Sequence, residues 1–146
     1  METARVYLCV DGSHASLVAA HAAIDLCRRW HSALRVAYVV EAVEGVDRPV
    51  ATAQGEDMRA SGRAILKRVD AMAAEQDVNA EPEVLEGVPF EAILSDARQW
   101  NADLIVMGRT GRTGAGRILL GSEAERVLEF TDRPVLIVPS TDTERY

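Results

Sequence analysis

Residues 103–130 read DLIVMGRTGRTGAGRILLGSEAERVLEF, and their order of apolar run, glycine segment and helix decides the fold. Asp103-Leu-Ile-Val-Met107 is continuously apolar, as a parallel strand covered on both faces requires. Ser122 to Phe130 has helical spacing, and Ser122 with Glu125 forms the serine-x-x-glutamate pattern of a capping box. Between them, Gly108 to Ser122 packs five glycines and three arginines into fifteen residues. Glycines let backbone N–H groups approach a ligand closely, and a helix starting at Ser122 presents free amides with the positive end of its dipole. These are the parts of an anion cradle.

The alternation extends outward in both directions. Arg5 to Val10 (RVYLCV) reads as a strand and ends at Asp11-Gly12-Ser13, a turn that also supplies a helix N-cap. Leu17, Ala20, Ile24 and Cys27 then line one face of a helix running to about Trp30. Leu34 to Val40 is a second strand. Met58, Gly62, Ile65, Val69 and Met72 form a second helical stripe, slightly weakened by its glycine. Asn79 to Glu86 reads as a short third strand whose proline suits an edge. Pro89 fits the first turn of a helix lined by Phe90, Ile93, Leu94, Ala97 and Trp100. Val135 to Val138 is the last strand, between two prolines. Strands alternating with helices predict an α/β fold, a single domain over residues 1–146 with an open parallel sheet and helices on both faces. Residues 41–54 show no period, so a long loop or lid is expected there, with flexible ends at 1–3 and 140–146.

Composition narrows the function. With 146 residues, 48% hydrophobic and 27% charged, the chain buries a core without metals or disulfides. A net charge of −7 repels nucleic acid and anionic lipid, so any bound anion must be held by local geometry. No apolar run approaches bilayer length, so membrane insertion is not expected, and a cytoplasmic location is the simplest expectation. Cys9 and Cys27 have no metal-ligand or CxxC spacing and read as small buried residues. His21 and His31 lack a partner at ligand spacing and read as surface groups; no metal site is predicted.

Two phosphate-binding templates fail. Gly111 to Gly116 and Gly116 to Gly121 have the Walker A glycine spacing but not the lysine that follows it. The first strand-to-helix turn holds Asp11-Gly12-Ser13 instead of a dinucleotide fingerprint. Position still favours a ligand. In an open doubly wound sheet the crevice lies at the carboxyl ends of strands where the winding reverses, and Asp11 and Gly108 end the first and fourth strands.

The spacing Gly108-x2-Gly111-x9-Gly121-Ser122, preceded by ADLIVM and followed by AERVL and PVLIVP, resembles the nucleotide-binding signature of the universal stress protein family. The opening VDGSHAS resembles that family's first strand and turn. The resemblance implies strand order 3-2-1-4-5 in a Rossmann-like sheet of the adenine nucleotide alpha hydrolase kind. It implies ATP as ligand, with AMP and cyclic AMP as alternatives, and Mg2+ or Mn2+ held mainly by the phosphates. Asp11 would lie near sugar and phosphate, with Cys9 and Val10 beside it, and Val39 at the adenine edge. Met107, Gly108, Arg109, Gly111 and Arg112 would approach ribose and phosphates, while Gly121 and Ser122 would take phosphate oxygens. Glu123 departs from the family's usual uncharged residue and would set a carboxylate beside those phosphates. Cys9 stands where many relatives have proline.

Each residue also has a plainer reading. Ser122 is a helix cap on local grounds, Asp11 an Asx turn, and Arg109, Arg112 and Arg117 a solvated loop face. Asp11, Ser13 and His14 sit on one turn and cannot readily form a catalytic triad. No catalytic residue is assigned. The expected function is a nucleotide-responsive stress sensor or regulator. A nucleotide-independent homodimer pairing through Val135–Val138 and a slow ATPase stand as alternatives.

Overall fold

Strand β1 (Arg5–Cys9) leads into helix α1 (His14–Trp30), followed by β2 (Ala33–Glu41), α2 (Ala53–Glu75) and β3 (Ala80–Gly87). Helix α3 (Pro89–Gln99), β4 (Leu104–Gly108), α4 (Ser122–Phe130) and β5 (Val135–Val138) complete the alternation. The computed structural model describes residues 3–41, 53–110 and 120–140. The five strands form one sheet in the order β3-β2-β1-β4-β5, every neighbouring pair parallel. This is the order that the family resemblance implies.

The alternation within the central strand sorts the core into two layers. Val6, Leu8 and Val10 point to the face covered by Ala19, Ala23 and Ile24 of α1 and Leu66, Val69 and Ala73 of α2. Tyr7 and Cys9 point to the other face, against Ile93, Leu94 and Ala97 of α3 and Ala124 and Val127 of α4. Each fully buried Val, Leu or Ile contributes about 1.5–3 kcal/mol, so a strand apolar on both faces must lie in the middle of the sheet.

Local chemistry sets the ends of the helices. Ser13 caps α1, its Oγ accepting from the Ser16 N–H at 3.1 Å. His31 closes that helix in the left-handed conformation, with φ 54°, and donates its N–H to Cys27 O. Helix α2 starts at Ala53, ahead of the stripe that begins at Met58, because its first turn buries Gly55, which adds no side chain to the periodicity. Gly62 is explained by β2. A Cβ there would fall 2.5 Å from Cδ1 of the buried Tyr38, so the missing side chain is what lets α2 lie on the sheet. Of the irregular segment expected over 41–54, Glu41 belongs to β2 and Ala53 and Gln54 to α2; residues 42–52 lie outside the described residues. Of the ends expected to fray, residues 1–2 and 141–146 also lie outside them.

A polar cluster ties α3 to the sheet. Buried Asp96 accepts the Tyr7 hydroxyl at 2.7 Å on Oδ2, and Arg35 grips it from Nε at 2.9 Å and Nη2 at 2.8 Å. Arg35 also donates to Glu81 at 2.7 Å, and its guanidinium lies 6.0 Å from the centre of the Trp100 ring. Burial, then the neighbouring Cys9 and Asp96, push the Tyr7 pKa upward, so the hydroxyl remains a donor. Such a two-pronged, charge-assisted pair is strong and geometrically demanding.

Candidate functional site

The winding of the sheet reverses between β1 and β4. The helix after β1 covers one face, and the helix after β4 covers the other. Because β1 and β4 are neighbours, their carboxyl ends bring Asp11 and Gly108 to one edge, as the sequence predicts. Asp11 is half-buried and held in an Asx turn, Oδ1 accepting from the Ser13 N–H at 2.9 Å. Gly12 follows at φ +87°, a conformation that favours glycine. Asp11 Oδ1 and Ser13 Oγ both take part in capping the start of α1.

Gly108 has a packing role of its own. A Cβ there would lie 2.7 Å from the carbonyl oxygen of Ala15, in the first turn of α1. One residue on, the Arg109 N–H donates to Val138 O at 3.1 Å, and Arg109 O accepts from the Gly121 N–H at 2.7 Å. This bond joins the two halves of the glycine signature across the sheet edge. Gly111, Arg112, Gly114, Gly116 and Arg117 lie outside the described residues.

Helix α4 begins differently from the capping-box expectation. Its N-cap is Gly121, Ser122 is the first helical residue, and no side chain closes the end. The reason lies in the Gly121 bond to Arg109, which holds Gly121 in extended backbone (φ −64°, ψ 152°) and moves the start of the helix one residue on. The first helical bond runs from the Glu125 N–H to Gly121 O at 3.0 Å, so the amides of Ser122, Glu123 and Ala124 precede the ladder. Ser122 is exposed. The residues present therefore fit a phosphate through backbone donors at a helix start.

Glu123 turns toward α3. Its carboxylate lies near the start of α3, where the Phe90 N–H acts to lower its pKa. The second oxygen, Oε2, is enclosed without a partner among the described residues. Burial, then Glu41 at the end of β2, raises the Glu123 pKa, while Arg126 opposes the shift. The folded chain thus takes up this proton before the unfolded chain does. The associated stability is present at acid pH and is lost as pH rises through the carboxylate range. Arg126 itself lies 5.3 Å over the Phe90 ring, which stacks on Phe130. Glu41 and Phe90 were not among the residues expected here; their positions at the carboxyl end of β2 and the start of α3 are the signal that places them.

The remaining expected residues divide by face. Cys9, Met107 and Val39 lie on the side of the sheet that carries α3 and α4, and Val10 lies on the other. Burial pushes both thiols up, Cys27 to about 11 and Cys9 further, so neither is a reactive thiolate. His21 and His31 are exposed. Among the described residues, no three His, Cys, Asp or Glu side chains gather so as to hold a metal ion. No helix among them is long and apolar enough to cross a membrane.

The sequence profile of the Universal stress protein family matches residues 2–139. The chain belongs to the universal stress protein family. A universal stress protein of Methanocaldococcus jannaschii is 40% identical over 146 residues, covering 96% of this chain and 84% of the relative. The universal stress protein UspA of Lactobacillus plantarum shares the fold with a TM-score of 0.83 at 23% identity, covering 94% of this chain and 99% of that one. A crystal structure of a universal stress protein in complex with cAMP matches with a TM-score of 0.73 at 26% identity, covering 95% and 98% of the two chains.

Proposed function

We propose that this universal stress protein binds an adenine nucleotide at the carboxyl ends of β1, β2 and β4, and that occupancy regulates its activity as a cytoplasmic stress-response sensor. The observation that carries this reading is the Gly121-to-Arg109 bond, which sets the free first-turn amides of α4 beside the end of β4. A universal stress protein of the same fold in complex with cAMP supports the ligand class. Asp11, with Cys9 and Val10, lies toward the sugar in this reading, and Val39 toward the base. We assign Met107, Gly108, Arg109, Gly111 and Arg112 to the ribose and phosphates, and Gly121, Ser122 and Glu123 to the phosphate end. ATP is the proposed physiological ligand, with Mg2+ or Mn2+ held mainly by its own phosphates. Calorimetric titration with ATP, AMP and cyclic AMP should give saturable binding to at least one. No heat from any of them overturns the proposal.

A second reading concerns assembly. Strand β5 is outermost, and Leu136 on it is 38% exposed, as is Phe130 on the preceding helix at 54%. Large apolar groups on an edge strand favour pairing with a second copy across a two-fold axis. Light scattering should give the mass of a dimer with or without nucleotide, and a monomer under both conditions would remove this reading.

A further inference from the structure

Resting on the nucleotide reading, the geometry points to Glu123 as the residue that sets how much negative charge the site accepts: we infer that its carboxylate discriminates against the more highly charged nucleotides. The carboxylate belongs to the first turn of α4, and its Oε2 is enclosed. The charge therefore sits within one helical turn of the amides at Ser122, Glu123 and Ala124 that an anion would occupy. Two charged groups among the described residues act on Glu123. Glu41 adds to the negative field, and Arg126, drawn over the Phe90 ring at 5.3 Å, opposes it. Oε2 is shielded from solvent and has no donor among the described residues, so the field is poorly screened. Donors and a like charge at one helix start favour an anion of low charge over one of high charge.

The test compares the natural protein with Glu123→Gln, titrated with adenosine, AMP, ADP and ATP at mildly alkaline pH without divalent cations. Glutamine keeps the size of the side chain and removes its partly buried charge, so a melting temperature at or above that of the natural protein is expected. The gain in affinity should be near one for adenosine and should grow by about three- to tenfold per phosphate charge along the series. Glu41→Gln, an exposed position, should show the same trend with smaller factors. A gain that is equal for all four ligands, or absent, overturns the inference while leaving nucleotide binding intact. Failure of both proteins to bind any of the four removes the nucleotide reading and this inference with it.

Discussion

Asp96→Ala should destabilise the fold by about 3–5 kcal/mol, the cost of leaving a buried charge without its partner. The substitution strands Arg35, whose side chain is only 12% exposed and which keeps only Glu81 at 2.7 Å and Glu83 at 3.4 Å as anionic partners. It also removes the acceptor of the Tyr7 hydroxyl, itself fully buried. Chemical denaturation should show the loss as a lower midpoint with little change in slope. Tyr7→Phe deletes one hydrogen bond and keeps the ring, so it should cost about 1 kcal/mol by the same assay. A loss below about 1 kcal/mol for Asp96→Ala would show that the pair is dispensable.

Gly108→Ala should cost about 1–3 kcal/mol through overpacking, and Gly108→Val more. The added Cβ meets the carbonyl oxygen of Ala15 at 2.7 Å and its carbon at 2.8 Å, which are backbone atoms that no rotamer change can move. Relief requires the first turn of α1 to shift from the end of β4. That movement separates Asp11 from Arg109, so any nucleotide affinity should fall together with stability. Unchanged thermal unfolding in Gly108→Ala would contradict the close approach of the two elements.

Much of the architecture was legible because its signals are local and periodic. The run at 103–107 is apolar on both faces, and Asp11-Gly12-Ser13 carries both turn and cap, so strand, turn and helix follow from neighbouring residues. The edge position of the third strand was legible from Pro82. Three features were not, each because its cause lies far away in the chain. Gly62 reads as a defect until the Tyr38 ring is placed beside it. Ser122 reads as a cap until Gly121 is seen bonded to Arg109. Arg35 and Asp96 lie 61 residues apart with no local signal that pairs them, although Arg35 shares a strand face with Ala37, and Asp96 lies three residues after Ile93. At the site, the sequence marks the glycines and the aspartate. It does not show that Gly108 answers to Ala15 or that Glu123 reaches Phe90.

The two borders of the sheet are chemically unequal. Strand β3 is paired with β2 along its full length, and its proline, lacking an N–H, fits a ladder only with its nitrogen turned outward. That border therefore lacks a donor at Pro82. The β5 border is four apolar residues with no charge among them. In the language of polymerisation, the dimer proposed above would be built from a monofunctional unit, with its pairing strand at one border and a terminated strand at the other.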